Sequence, residues 1–98
     1  MTGYIIGQAK VHDQEGYMKY LQGVMHTFKP FEGRILVASD DADVLEGEWP
    51  KVRTIVIEFP SKDLAKAWYE SDQYQKVAEH RFKAAKSNLI LIDGLPRR

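Results

Sequence analysis

The sequence lacks cysteine entirely. Disulfide bonds, a thiolate nucleophile and a thiolate metal site are therefore excluded. Long apolar runs are also missing, since no segment approaches the roughly 20 residues that a membrane-spanning helix needs. The first residues do not show the charged and then apolar run of a signal peptide. We therefore expect a cytoplasmic protein that does not associate with a membrane.

An excess of charge of either sign is missing as well. Lys plus Arg and Asp plus Glu each number 14, so the formal net charge is zero. This balance gives no reason to expect a nucleic acid as partner, and Arg97-Arg98 is best interpreted as a solvated tail. The histidines His12, His26 and His80 do not have the spacing of metal ligands on one helix, so we expect no metal site.

Apolar segments separated by turn residues predict the strands. With 98 residues, we expect a single domain, residues 1–98. Alternation and β-branched residues predict strands at residues 4–11, 34–39, 53–59 and 88–92. A short hairpin partner is predicted at Val44-Leu45.

Capping residues predict the helices. Asp13 is a candidate N-cap for a helix that runs to about Phe28. Ser61 and Asp72 are candidate N-caps of two successive helical segments. Neither Ser61 nor Ser71 lies in a G-x-S-x-G motif, so we interpret both as caps rather than nucleophiles.

The order β-α-β, short β, β-α-α-β predicts an α+β fold. Two split βαβ units give a ferredoxin-like antiparallel sheet with helices on one face. The long strands are nonetheless apolar on both alternations. We expect Val56, Leu89 and Leu91 on the helix-free face, where a monomer would expose an apolar patch. A second copy that packs its sheet there would cover this patch, so the sequence favours a homodimer.

Several short motifs occur together in one order. They are V-L-E-G at 44–47, V-I-E-F-P-S at 56–61, A-W-Y at 67–69, S-x-x-Y at 71–74, Arg81 and an I-x-D-G-like end. With these motifs the chain resembles the domain-of-unknown-function family 1330 (DUF1330) of the dimeric α+β barrel superfamily. The resemblance implies a dimer whose two sheets enclose a barrel.

The resemblance implies no activity. Relatives on the same barrel include monooxygenases, haem-degrading enzymes and isomerases, so similarity of fold alone does not select a reaction. No residue of this sequence requires haem or flavin, and we therefore expect no cofactor.

Arg81 is the first candidate site residue. It falls on the apolar stripe of its predicted helix together with Tyr74, and a guanidinium there is costly to desolvate without a partner. One interpretation is an ion pair with Glu58 or Asp93 that fixes the helix on the sheet. The other is a fork that holds the carboxylate of a ligand.

Glu58 is a lone acid among the branched apolar residues of its strand. Arg81 or backbone amides could hold it ionised. Alternatively, its pKa could be raised so that it serves as a general base. The two interpretations exclude one another for a single carboxylate.

The remaining candidates are aromatic side chains and one histidine. Trp68 and Tyr74 either pack in the core or line a pocket for a flat organic ligand. His12, at the end of a strand, is a further candidate pocket residue. Trp49, in a loop before a proline, is interpreted as a dimer contact or a pocket lid.

Three functions of different classes remain open. The first is an enzyme without cofactor that acts on a small carboxylated or aromatic metabolite in a pocket between sheet and helices. The second is a small-molecule binding protein that uses the same pocket without turnover. The third is a structural or interaction module in which Arg81 and Glu58 form a stabilising ion pair.

Overall fold

The fold consists of a four-stranded sheet and three helices over the range that the computed structural model describes, residues 1–96. Arg97 and Arg98 lie outside the described residues. The strands are β1 (Gly3–Val11), β2 (Arg34–Ser39), β3 (Arg53–Phe59) and β4 (Ala85–Asp93). The helices are α1 (Gln14–Val24), α2 (Lys62–Glu70) and α3 (Asp72–Ala84). None of these helices has the length and apolar character that a membrane crossing requires.

The sheet has the strand order β2-β3-β1-β4, and every neighbouring pair is antiparallel. Ile5 in β1 lies opposite Ile57 in β3 and Leu91 in β4. The helices cover the face to which these three residues point, where Ile5 and Ile57 are only 3% and 4% exposed. The predicted ferredoxin-like arrangement is confirmed.

The helix-free face, called here the open face, carries a different part of β4 from the one predicted. Leu89 and Leu91 pack against the core beneath the helices, whereas Ile90 and Ile92 are exposed. The prediction for the two leucines was wrong because both faces of β4 carry apolar residues, so composition does not show which residues face the helices. Pairing sets it: Ile90 lies opposite Ile6, which shares the open face with Val56.

The helix ends follow from their caps, with one correction. Asp13 accepts a hydrogen bond from the Gly16 amide, and Ser61 accepts one from the Leu64 amide. The cap of α3 is Ser71 rather than Asp72, because Ser71 has an extended backbone and its hydroxyl accepts from the Tyr74 amide at 3.2 Å. Such a cap satisfies an amide that the first helical turn leaves free.

Two further segments differ from the prediction. α1 ends at Val24, and short 3-10 turns at Met25–Thr27 and Lys29–Phe31 follow it. Val44 and Leu45 form no strand; they lie in a segment without helix or strand, residues 40–52. This segment, called here the arm, joins β2 to β3.

An aromatic core holds the helices on the sheet. Trp68 is fully buried, and its ring centroid lies 5.3 Å from those of both Phe28 and Phe59. Its indole N–H donates to the Thr27 hydroxyl at 2.8 Å, which in turn donates to the Val24 carbonyl at 2.6 Å. The one polar atom of the indole is therefore satisfied inside the core.

Candidate anion-binding site

Arg81 is a buried cation in the last turn of α3, with 4% of its surface exposed. Its Nη2 donates to the Tyr74 hydroxyl at 3.2 Å, and that hydroxyl shares a hydrogen bond of 3.0 Å with Tyr20. The guanidinium carbon lies 5.6 Å from the ring centroid of Tyr20 and 4.9 Å from that of Phe82. Its Nε has no hydrogen-bond partner. Within residues 1–96, no carboxylate forms a salt bridge with it.

The predicted ion pair of Arg81 with Glu58 or Asp93 was therefore wrong. Glu58 points to the open face, where it accepts hydrogen bonds from Arg34 Nε at 3.0 Å and from the Tyr4 hydroxyl at 3.3 Å. Asp93 ends β4, whereas Arg81 precedes the first residue of that strand. The nine residues of β4 separate the two ends of the sheet by roughly 26 Å. Glu58 lies on the opposite face of the sheet from Arg81, and Asp93 lies at its opposite end, so neither carboxylate reaches the guanidinium.

The environment of Arg81 keeps it charged. Burial lowers the pKa of its guanidinium, but the oxygens of Tyr74 and Tyr20 raise it, and the net direction is upward. Burial, followed by the neighbouring Tyr74, raises the pKa of Tyr20 far above its ordinary value. Arg81 is thus a protonated guanidinium beside the neutral phenol of Tyr20. The guanidinium can donate hydrogen bonds but cannot act as a base.

Arg53, at the start of β3, faces the helices beside an open cleft of about 530 Å³. Its Nη1 contacts Asp40 Oδ2 at 3.4 Å, and the side chain of Asp40 is 74% exposed. Its Nε is buried without a hydrogen-bond partner. Because an exposed ion pair of this kind contributes little to the free energy of folding, Asp40 is a weak counter-ion for Arg53. Arg53 is therefore an accessible cation with donor capacity to spare.

Tyr17 connects the two arginines. Its ring lies in the wall of the cleft, 5.9 Å from the guanidinium carbon of Arg53. Burial raises the pKa of Tyr17, while the charges of Arg53 and Arg81 both oppose that increase. The Tyr17 ring lies 5.6 Å from that of Tyr20, whose ring centroid is 5.6 Å from the guanidinium carbon of Arg81. An anion in this cleft would meet Arg53, which lines it, whereas Arg81 does not line it and would act only through the intervening protein.

Two further buried polar atoms without a partner, Thr54 Oγ1 and Ser87 Oγ, lie at the same end of the sheet, Thr54 on the open face. Ser87 Oγ is buried and unbonded, and Ser87 lies opposite Ala9, whose neighbour on the other side is Arg53. Buried polar groups normally have hydrogen-bond partners. Among the described residues that have an unpaired polar atom, Arg53 is the one that lines the cleft, so the case for an anion there depends on its guanidinium.

The other predicted site residues do not join this cluster. Trp68 and Tyr74 have no exposed surface, although Tyr74 contacts Arg81 directly. His12 is exposed after β1, where its amide donates to the Ala84 carbonyl at 2.9 Å. Glu58 lines a separate cleft of about 650 Å³, and Asp93 is exposed. Of the predicted set, the structure brings together Arg81 and Tyr74.

The site contains residues that sequence reasoning missed. Arg53 was the principal omission, although a signal existed: it continues the alternation of Ile55, Ile57 and Phe59 toward the helices. No pattern in the sequence relates Asp40 or Ser87 to it. Within the described range, no group of three or more histidine, aspartate or glutamate side chains is arranged to hold a metal ion.

Comparison with known proteins identifies the family. The family described as "Domain of unknown function (DUF1330)" matches residues 2–95. The chain belongs to the DUF1330 family. Among curated proteins, no sequence is similar enough to count as a relative.

Solved structures extend the comparison to the fold of this DUF1330 protein. A protein of unknown function from Rhodopseudomonas palustris has 18% identity and a TM-score of 0.75, with 98% of this chain and 84% of that chain covered. SnoaB, a cofactor-independent oxygenase from Streptomyces nogalater, has 11% identity and a TM-score of 0.68, with coverage of 98% and 95%. An antibiotic biosynthesis monooxygenase has 14% identity and a TM-score of 0.58, with coverage of 96% and 99%. At these identities the similarity shows the fold alone.

Proposed function

We propose that this DUF1330 protein is a homodimer that binds the carboxylate of a small metabolite in the cleft between α1 and the sheet. The observation that carries the proposal is Arg53, whose Nε lacks a partner and whose counter-ion is the exposed Asp40. The setting we propose is the cytoplasm, with which a chain without cysteine is compatible.

The cleft suits a small aromatic acid. Its volume of about 530 Å³ lies within the usual range for small-molecule sites. A carboxylate displacing Asp40 can accept two parallel hydrogen bonds from the guanidinium of Arg53. Tyr17, Met18 and Leu21 line the same cleft and provide apolar surface for a ring.

A second candidate function is turnover of the bound acid without a cofactor. The observation in its favour is the guanidinium of Arg53 in the wall of the cleft, a fixed cation that would stabilise negative charge that develops on a substrate oxygen. Asp40, the carboxylate in the cleft wall, is then the candidate general base. The oxygenase SnoaB, which is similar in fold, gives this candidate a reason to be tested by product analysis.

Calorimetric titration with benzoate and benzamide tests the proposed binding. The two molecules have nearly the same shape, and the carboxylate of benzoate carries a charge that the amide lacks. We expect benzoate to bind and its affinity to fall with added salt, because part of the attraction is electrostatic. Benzamide should bind at least about tenfold more weakly. Equal affinities, or binding of neither compound at millimolar concentration, would contradict the proposal.

The dimer is supported by the open face. Ile90 and Ile92 are 56% and 47% exposed there, and Leu36 and Val37 of β2 are 44% and 41% exposed. A contiguous apolar surface of this kind is unusual on a monomer. The family resemblance implies that a second sheet covers it.

Val56→Lys tests this interface. Val56 lies beside Ile6 on the open face, so the dimer would have to bury an unpaired ammonium, and we expect its dissociation constant to rise at least about 100-fold. Light scattering after size exclusion measures the change, and Gln73→Lys on an exposed position of α3 is the matched control. A Val56→Lys variant that remains as dimeric as Gln73→Lys would place the interface elsewhere.

A further inference from the structure

The cleft beside Arg53 has two further cations in its wall. Lys10, near the end of β1, and Lys51, in the arm just before β3, line it together with Arg53. Both lysines are exposed, and across the part of the chain that the structure describes neither of them forms a salt bridge. The cleft therefore contains two positive charges that the described protomer does not neutralise.

Lys10 also has a like charge beside it. It lies directly opposite Lys86 in the pairing of β1 with β4, and Lys86 is exposed as well. Like charges in directly opposite positions of an antiparallel pair are destabilising. An anion bound at Lys10 would reduce this repulsion, which is a second reason for negative charge to bind at this side of the cleft.

The charges of the cleft wall indicate the charge of a matching ligand. The wall contains the three cations Arg53, Lys10 and Lys51 and one carboxylate, that of Asp40. A ligand with one carboxylate leaves a positive charge in excess, and a ligand with two carboxylates balances the wall. A phosphate as the second group would add about 1.5 to 2 negative charges at pH 7 and would exceed that balance. The wall therefore favours a dicarboxylate.

The exposure of the wall residues places these cations at different depths. The side chain of Arg53 is 22% exposed, and Tyr17 beside it is 3% exposed, so they form the inner part of the cleft. Lys10 and Lys51 are exposed and form part of its mouth. A ring that lies against Tyr17 can thus direct one substituent inward and another toward the solvent.

We propose that the ligand of this cleft is a small aromatic dicarboxylate, with one carboxylate on Arg53 and the other on Lys10 and Lys51. The inference rests on the carboxylate binding of the proposed function and adds the group at the other end of the ring. The guanidinium fork fixes the inner carboxylate, whereas the two ammonium groups are compact charges on flexible chains that follow the outer one. The lysines thereby select a dianion over a monoanion.

Terephthalate and 4-carbamoylbenzoate test the second carboxylate. They have nearly the same shape, but an amide replaces one carboxylate of terephthalate. Calorimetric titration should show terephthalate binding about tenfold more tightly, and added salt should reduce this ratio. In the variant Lys10→Gln with Lys51→Gln, the ratio should fall to about the twofold that two equivalent carboxylates give by statistics alone.

The matched control is Lys66→Gln with Lys76→Gln. These lysines lie at exposed positions of α2 and α3 and do not line the cleft, so the same net charge is removed elsewhere. This variant should keep the wild-type ratio of the two affinities. Thermal melts of both double variants confirm that each is folded before titration.

The outcomes separate this inference from the proposed function. If benzoate, terephthalate and 4-carbamoylbenzoate all fail to bind at millimolar concentration, the proposed function is wrong and this inference with it. Binding of benzoate with a wild-type ratio of about twofold or less, or a ratio that Lys10→Gln with Lys51→Gln leaves unchanged, would overturn the dicarboxylate alone. Binding of benzoate with exclusion of both longer compounds would also overturn it, since the cleft would then have no room beyond the ring.

Discussion

Replacing Arg53 by methionine should abolish binding of carboxylates while the protein stays folded. The guanidinium is the cation that lines the inner cleft. Its Nε forms no hydrogen bond, so within the described chain the substitution removes only the exposed ion pair with Asp40. Removing one member of a hydrogen-bonded charge pair costs a complex about 2–5 kcal/mol, which corresponds to about 30-fold or more in affinity. Calorimetric titration with benzoate measures this loss directly.

Arg34→Met is the matched control for this prediction. Arg34 also forms an ion pair, with Glu58 at 3.0 Å, but its side chain is 70% exposed and it lines the separate cleft that contains Glu58. Its replacement should leave the affinity for benzoate within about twofold, because only distant and screened charge is removed. Equal losses in the two variants would mean that benzoate responds to net charge rather than to Arg53.

Replacing Arg81 by methionine should leave the free energy of unfolding unchanged or raise it by about 1–4 kcal/mol, because a buried charge without a carboxylate is removed. A comparison of the interactions of Arg81 with its desolvation cost favours a variant that is at least as stable as the wild type. The upward pKa shift of Arg81 depends largely on charge on the neighbouring tyrosine oxygens, which phenols lack at neutral pH. Two aromatic faces contribute about 0.5–2 kcal/mol each to a desolvated cation, whereas desolvation of one ion costs several kcal/mol. Tyr74 keeps its hydrogen bond with Tyr20, and methionine fills most of the space.

Thermal and urea unfolding measure the effect at Arg81. For a domain of this size, each kcal/mol corresponds to about 4–8 °C in melting temperature. A loss of about 3 kcal/mol or more would contradict the prediction, since it would show that Arg81 has a compensating partner in the empty protein. Arg34→Met, which removes an exposed pair, should change stability by no more than about 1 kcal/mol.

The fold was predictable because its signals are local and redundant. The alternation of Arg53–Phe59, the caps at Asp13 and Ser61 and the order of the elements all indicate the same antiparallel sheet. Which residues of β4 face the helices was not predictable, because Leu89 and Ile90 are equally apolar. Only the pairing of Ile90 with Ile6 decides which face each residue takes.

The site was predictable only in part, for a different physical reason. That Arg81 would be buried followed from its place on an apolar helix face. Its partner did not follow, because Glu58 lies on the opposite face of the sheet and Asp93 lies at the opposite end of it. Arg53 and Ser87 lie on either side of Ala9 through cross-strand pairing. A single sequence carries no direct sign of that register.

Crystallographic localisation of para-bromobenzoate tests the central claim most directly, because the bromine marks the position of the ring by its anomalous scattering. We predict a bromine site in the cleft lined by Tyr17, Met18 and Leu21, with the carboxylate on Arg53 and Asp40 displaced. The same soak of Arg53→Met crystals should leave that cleft empty. A bromine found instead in the cleft of Glu58 or on the open face, with Arg53 still held by Asp40, would contradict the account.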